Sequence, residues 1–558
     1  MITPTADATI GDVFGRCVAA FGSQPFLAAP PNPARAYHPQ GLELSYAQAG
    51  VVVDALKARY ASAGYGLGHR VALLMDNRPE HLLHKLAMNA LGVCCVPLNA
   101  DHRPREMAYV IDHARVDLVL VADALRPLLQ GALQVASHRP AVADGEGDAA
   151  LPVPHTRAAS TVPTRDTPAS VLYTSGTTGR PKGCVLSHRY ELEAGRWYAT
   201  AGGLACFGDG GDRLYNPLPL FHVNASIFSF FCVMLRGNCQ VQTDRFSPSR
   251  WWAEVHASRA TVVHYLGVVV PMLLAQPPSA LDRGHRVRFA IGAGVDPQRH
   301  AEFEQRFGFP LIEIWGMTEM VRALFDNQPP RQVGTRVFGR ARAGLELRVV
   351  DDADRDVPDG TPGELIVRSS AAAPRADFFS GYLDDPAATE QAWRGGWFHT
   401  GDIVTRAADG AMRFVDRRKN IIRRSGENIA AAEVEAVLQS HPLVHQAAVL
   451  AVPDELREEE VLACVVLADA GRADPAAAVQ ALWAHCLDQL AYYKAPGWLW
   501  LTDEIPTTST QKVQKHQIFE PGTDPRVQPG MIDLRAGKTR DAASRTGSTT
   551  PIATPRRP

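Results

Sequence analysis

The stretch RVALLMDNRPEHLLHKLAMNALGVCCVPLN, residues 70–99, reads as one strand–helix–strand unit. Residues 71–75 form a short continuous apolar run, which suits a strand buried on both faces. Pro79 opens a helix, its fixed φ fitting the first turn, and Leu82, Leu83, Leu86, Ala90 and Leu91 fall on one side. Gly92 stops the helix, residues 93–98 read as the next strand and residues 117–121 as another. Strands alternating with helices predict an α/β fold of layered subdomains around a parallel sheet.

Residues 130–165, rich in Ala, Pro and polar side chains, read as a loose connection before the alternation resumes and continues past Glu319. From about Val337 the texture becomes β-rich, with strands over 345–351 and 364–368 flanking the turn-rich Asp-Gly-Thr-Pro-Gly. A boundary falls at residues 416–419, and a compact α+β unit follows. Its predicted elements are helices over 431–438 and 476–490 and paired strands over 447–452 and 461–466. A chain of 558 residues exceeds what one hydrophobic core supports. The division expected is a large domain over 1–415, a hinge over 416–419, a small mobile domain over 420–520 and a disordered tail over 521–558.

The net charge of −2 gives no basic field, so no nucleic-acid partner is expected. No apolar run approaches the ~20 residues that span a bilayer, and the first residues lack a basic start with a long apolar stretch. A cytoplasmic location is expected. None of the nine cysteines forms a C-x-x-C pair, so buried free thiols are predicted rather than zinc or redox sites.

The strongest chemical signal is Tyr173-Thr-Ser-Gly-Thr-Thr-Gly-Arg-Pro-Lys-Gly183, preceded by apolar Ala169, Val171 and Leu172. A strand thus feeds a loop whose glycines let successive N–H groups turn toward an anion. Thr174, Ser175, Gly176, Thr177, Thr178 and Gly179 supply the backbone and hydroxyl donors, and Lys182 adds a mobile positive charge. The loop is not a Walker A loop: Pro181 precedes the lysine and Gly183 follows it.

This segment resembles the phosphate loop of the adenylate-forming superfamily, which contains acyl-CoA synthetases, firefly luciferase and the adenylation domains of nonribosomal peptide synthetases. The resemblance runs from about Leu44 to about Lys515 and rests on six separated motifs in the family's order. Asn216-Pro-Leu-Pro-Leu-Phe-His-Val223 resembles the second motif, and by that resemblance His222 gates the thiol's approach to the acyl site. Taken alone, His222 suits a core or capping histidine as well. Phe289-Ala-Ile-Gly-Ala-Gly-Val295 reads as a strand ending in a small-residue turn; the resemblance sets Gly292, Ala293 and Gly294 beside the adenine and the acyl pocket.

In Ile314-Trp-Gly-Met-Thr-Glu319, which reads as following a strand, the resemblance implies that Trp315 stacks on adenine, Thr318 contacts phosphate and Glu319 holds Mg2+. Most relatives carry tyrosine where Trp315 stands. Gly316 leaves open a pocket that acetate-specific relatives close with tryptophan, which implies an acid larger than acetate. Asp402, in Gly-Trp-Phe-His-Thr-Gly-Asp, matches the ribose-binding aspartate, whose two oxygens suit adjacent hydroxyls. In Asp416-Arg-Arg-Lys-Asn-Ile-Ile-Arg-Arg-Ser-Gly-Glu-Asn428, Arg417 matches a ribose or phosphate ligand and Lys419 the pivot. Arg423, Ser425 and Gly426 match the surface near the coenzyme. Lys512, after Ile-Pro-Thr-Thr-Ser-Thr-Gln, matches the catalytic lysine, with Gln511 where relatives have glycine.

The activity implied is ATP-dependent ligation of a carboxylic acid to coenzyme A through an acyl-adenylate, with ATP, Mg2+ and coenzyme A as cofactors. The partner implied is a small carboxylic acid, and the resemblance leaves room for a homodimer. The Arg-Arg-Ser-Gly-Glu-Asn and Lys-Val-Gln-Lys stretches are similar to the carnitine/crotonobetaine ligase branch, which points to a medium-chain, cyclic or carnitine-like acid. Three alternatives stay open: adenylation for a carrier protein, a luciferase-like oxygenase and a silent nucleotide-binding relative. Against the first, no acid follows His222 in Val-Asn-Ala-Ser-Ile-Phe-Ser-Phe to pair an amino acid's ammonium.

Overall fold

The computed structural model describes residues 1–174, 181–424, 427–454, 457–508, 513–520 and 522–538, without the side chains of Lys419, Arg423, Glu427, Asn428 and Glu458. Its centre is the predicted strand–helix–strand unit. Strand Arg70–Leu74 pairs in parallel with Cys94–Pro97 on one side and Leu118–Val121 on the other. Helix Pro79–Ala90 crosses over between the first two, burying Leu82, Leu83 and Leu86. These strands belong to a seven-stranded sheet that also holds Pro168–Thr174 and Lys182–Ser187, an antiparallel pair.

An eight-stranded sheet takes two strands from the start of the chain and the rest from residues 213–325. Its six parallel neighbours are Pro25–Ala29, Cys239–Gln242, Arg213–Asn216, Val262–Leu266, Phe289–Ala293 and Leu311–Met317. Parallel strands share one C-terminal edge, the place where α/β sheets gather ligand-binding loops. Between the two sheets run Tyr46–Ala63, Pro79–Ala90, His188–Ala199 and Ser229–Arg236, whose apolar faces form the main core. The β-rich segment is a five-stranded sheet, antiparallel throughout, from Val337–Gly339 to Phe398–Arg406 and Met412–Arg417.

The last unit is a six-stranded sheet with its own core against helices Ala431–Gln439 and Pro475–Gln489. Ala447 pairs with Val465 in the predicted antiparallel strands, which extend to Val444–Asp454 and Glu458–Leu467. The architecture is the α/β class expected, with a β-rich segment and a small α+β unit.

Two stretches differ from expectation. Within the loose connection, helix Arg126–Val135 is followed by strand Ala141–Asp144, which adds a parallel edge strand beside Leu118–Val121. The tail expected to be disordered from residue 521 instead carries strand Met531–Asp533, antiparallel to Trp498–Leu501, and buries Leu534. Both strands are short edge strands, half-exposed, and carry no hydrophobic period.

All nine cysteines are free and, apart from Cys206, buried. Burial pushes Cys17, Cys94, Cys95, Cys239, Cys464 and Cys486 up to about 12. Among the described residues, no helix is long and apolar enough to cross a membrane.

Candidate active site

Thr174 and Lys182 are cross-strand partners at the ends of the antiparallel pair, so the glycine-rich segment leaves and re-enters the sheet at adjacent positions. Ser175, Gly176, Thr177, Thr178 and Gly179 lie outside the described residues. Lys182 is the first residue of its strand rather than a mobile loop residue, and its ammonium sits 4.7 Å from the ring centroid of Tyr382. The Tyr382 hydroxyl donates to Glu319 Oε1 at 3.0 Å. Glu319 is 7% exposed. Burial raises its carboxyl above the usual range, while Tyr382 and the nearby Arg417 guanidinium oppose that rise. Thr318 is held from behind, its carbonyl accepting from the Tyr190 hydroxyl at 2.8 Å.

The second cluster joins residues far apart in sequence. Trp315 lies inside strand Leu311–Met317, not after it. Its indole N–H donates to Asp402 Oδ2 at 2.8 Å, and its ring stacks on Phe338 at 5.7 Å and 30°. Asp402 is 1% exposed, pairs with Arg417 in strand register, and meets the Arg417 Nε at 2.7 Å. An indole N–H and a guanidinium N–H thus occupy the carboxylate that the resemblance reserves for ribose hydroxyls. A nucleoside bound there exchanges into that network instead of meeting a bare carboxylate.

Gly292, Ala293 and Gly294 close strand Phe289–Ala293 at the C-terminal edge of the eight-stranded sheet. A Cβ on Gly292 would collide with the Tyr265 carbonyl and ring, so this glycine serves strand packing in its own right. Behind the turn, Glu313 accepts from the Gly294 N–H at 3.0 Å and the Val295 N–H at 2.6 Å. Burial pushes the Glu313 carboxyl up to about 7, the two N–H donors pulling the other way. Gly316 is exposed, and a Cβ there meets the Ala323 Cβ at 3.3 Å.

His222 follows strand Arg213–Asn216 on the same edge, exposed, with its ring 4.6 Å from that of Phe221. Asn77 pins its loop, donating to the Leu218 carbonyl at 2.9 Å and accepting from the Leu220 N–H at 2.7 Å. A π-helical turn, Asn224–Phe228, comes next, a distortion common beside functional sites. Ile227, Phe228, Phe230, Phe231 and Met234 are buried members of the main core.

The segment expected to act as a hinge begins at Asp416, whose Oδ2 accepts from the Ala432 N–H at 2.8 Å and ties it to helix Ala431–Gln439. Lys419 sits in the short turn Arg418–Asn420, and Arg423 in strand Ile421–Arg424. Ser425, Gly426 and Lys512 lie outside the described residues.

Tyr382, Glu313 and Asn77 escaped the sequence reading. Glu313 carried a signal, since an acid among Leu-Ile-Glu-Ile-Trp, at a position buried in a strand, requires partners. Asn77 and Tyr382 act on residues over 60 positions away, at Leu218 and Glu319, and show only in three dimensions.

Residues 27–383 match the AMP-binding enzyme family, and residues 433–512 match the AMP-binding enzyme C-terminal domain. The chain is 31% identical to a sulfoacetate–CoA ligase of Cupriavidus necator, over 92% of this chain and 98% of the relative. It is 28% identical to a crotonobetaine/carnitine–CoA ligase of Salmonella heidelberg, over 85% and 93%. Its fold matches the crystal structure of the anthranilate CoA ligase AuaEII with a TM-score of 0.76 at 21% identity, covering 92% of this chain and 96% of that one. The chain belongs to the AMP-binding enzyme family and is an AMP-forming acid–thiol ligase that uses ATP and coenzyme A.

Proposed function

We propose that the clusters at Glu319 and Asp402 hold ATP while a carboxylate larger than acetate attacks its α-phosphorus, giving an acyl-adenylate and pyrophosphate. The observation that carries this reading is the Trp315–Asp402–Arg417 network, which sets an aromatic face and a ribose-sized pair of acceptor oxygens within one buried contact chain. Two anions must meet in this step, so the work is charge neutralisation and positioning. Lys182 and the glycine-rich segment take the β- and γ-phosphates, Arg417 the ribose, and Lys512 the α-phosphate and the incoming carboxylate.

Glu319 would hold Mg2+: its carboxylate is the oxygen donor a hard cation takes, and it follows Thr318 directly in sequence. Among the described residues no group of three His, Cys, Asp or Glu offers a cage of protein ligands, which is the pattern expected of a metal that travels with its nucleotide. Bound there, Mg2+ would neutralise phosphate charge.

In the second step the small unit turns about Lys419, Lys512 withdraws and Arg423, Ser425 and Gly426 face the acceptor. The coenzyme A thiol passes His222, attacks the mixed anhydride and releases AMP. An exposed glycine at position 316 and the two ligase relatives support a medium-chain, cyclic or carnitine-like acid. Such an enzyme works in the cytoplasm, where its soluble substrates are.

Pyrophosphate release with ATP and Mg2+ across a panel of acids, sulfoacetate and carnitine included, with and without coenzyme A, tests the reading. Acid-dependent release that rises with coenzyme A and yields a thioester is expected; release indifferent to coenzyme A overturns the acceptor. Lys512→Ala is expected to lose about three orders of magnitude in adenylate formation, the value of one charge at ~4 Å. It should spare thioester formation from supplied acyl-adenylate, and equal loss in both half-reactions refutes the role.

A further inference from the structure

The small unit contains a buried charge cluster that none of the matched family motifs accounts for. Glu460, in strand Glu458–Leu467, has no solvent exposure. Its Oε2 accepts from Arg424 Nε at 2.8 Å and its Oε1 from Lys538 Nζ at 2.6 Å. Arg424 is 2% exposed, and the Lys538 ammonium also donates to the Tyr493 carbonyl at 3.1 Å. A single carboxylate therefore serves two buried cations. Burial pushes the Lys538 ammonium down to about 8, and Glu460 opposes that shift.

The cluster is built, not incidental. A Cβ on Gly497 would collide with the Glu460 side chain, so that glycine is what admits the carboxylate. The segment bearing Lys538 is fastened along its length. Met531–Asp533 pairs with Trp498–Leu501, and the Leu534 N–H donates to the Gly497 carbonyl at 2.8 Å. Arg535 meets Asp454 at 2.9 Å and lies 4.4 Å over the Trp498 ring. This segment lies beyond residue 512, where the match to the C-terminal domain ends.

Its position ties it to the reaction. The sheet order places Ile421–Arg424, then Glu458–Leu467, then Trp498–Leu501, then Met531–Asp533. Arg424 is the last residue before Ser425-Gly426, and Trp498–Leu501 is the strand from which the chain runs on to Lys512. The segment grips both stems, one through the ladder and the other through a carboxylate.

We propose that Lys538, acting through Glu460, is a positioning residue that fixes Arg424 and so sets the entry to the coenzyme-facing surface for thioester formation. Removing the ammonium leaves Glu460 with Arg424 on Oε2 and the Val461 N–H on Oε1 at 2.8 Å, and empties the cationic side of a buried site, which lets the Arg424 end of the strand shift. Misplacement of about 1 Å costs roughly a hundredfold where a reaction depends on alignment. The inference rests on the reading above that residues 423–426 serve the second half-reaction.

The test compares the two half-reactions on the same sample of full-length enzyme, so that any loss of folded protein cancels in their ratio. Acid-dependent ATP–pyrophosphate exchange reports the first, and thioester formation from supplied acyl-adenylate and coenzyme A reports the second. Lys538→Gln is expected to slow thioester formation about tenfold or more and to raise the KM for coenzyme A, with exchange held within about twofold. Lys538→Arg, which keeps the charge, should restore most of the loss. Proportional loss in both half-reactions, or no loss in either, overturns the assignment. Arg423→Ala separates the inference from its premise. If that variant leaves thioester formation intact, the premise fails; if it slows that step while Lys538→Gln does not, the Lys538 assignment alone fails.

Discussion

The indole N–H of Trp315 donates to the carboxylate of Asp402 at 2.8 Å, joining a residue of the eight-stranded sheet to one of the five-stranded sheet across 87 positions of sequence. A phenylalanine keeps the stacking face but strands a buried acceptor. Trp315→Phe is therefore expected to cost about 1–3 kcal/mol of stability. The KM for ATP should rise with it, since Asp402 loses one of the partners that orient it. Urea unfolding and pyrophosphate exchange read the two effects, and an unchanged unfolding midpoint argues against the bond.

Tyr382 stands between Lys182 and Glu319, offering its ring face to one and its hydroxyl to the other. Its hydrogen bond pulls the Glu319 carboxyl down against burial, so Tyr382→Phe lets that carboxyl rise further. The acid limb of the adenylation pH profile should move to higher pH, and the rate at neutral pH should fall roughly tenfold. A profile that keeps its shape and position rules the linkage out.

Glu313 carries a pH signature of its own. Its carboxyl moves from an ordinary 4.5 to about 7 in the fold, because burial disfavours the charged form. Between those values the folded chain holds a proton that the unfolded chain releases. The stability this group contributes is full below pH 4.5 and is lost as pH rises through 7. The amount is on the order of 3 kcal/mol. Measured against Glu313→Gln, which does not titrate, the wild-type advantage at pH 5 should shrink by that amount at pH 8. A constant gap overturns the assignment. What the charged form gains in return is a grip on the Gly294 and Val295 N–H groups, which shape the turn after strand Phe289–Ala293.

Lys85 and Glu191 form an ion pair at 2.8 Å deep between helices Pro79–Ala90 and His188–Ala199, with Ser170 also bonded to the lysine. Lys85→Met leaves Glu191 buried without its counter-ion and is expected to cost about 3–5 kcal/mol. Adding Glu191→Leu should return most of that stability. A double variant no better than the single one contradicts this account.

The sequence disclosed the elements whose burial is uniform. Residues 71–75 and 93–98 are apolar without interruption, and both neighbours of each strand are covered, so pattern and environment coincide. Ala141–Asp144 and Met531–Asp533 gave no such signal, because an edge strand of three or four residues can bury too little to leave a period. Motif chemistry named Trp315, Glu319, Asp402 and Arg417 one at a time. That Asp402 is already engaged by Trp315 and Arg417, or that Tyr382 mediates between Lys182 and Glu319, depends on strand register between distant segments.

The buried thiols have a bearing on fidelity. A mixed anhydride acylates whatever thiolate it meets, and a ligase that makes one must not become its own acceptor. Cys184 lies beside Glu319, 4.0 Å from the Thr174 hydroxyl. Burial holds its proton on, and the neighbouring carboxylate reinforces that hold. Keeping this sulfur protonated silences an internal nucleophile, so the activated acyl group waits for the thiol that arrives from solution.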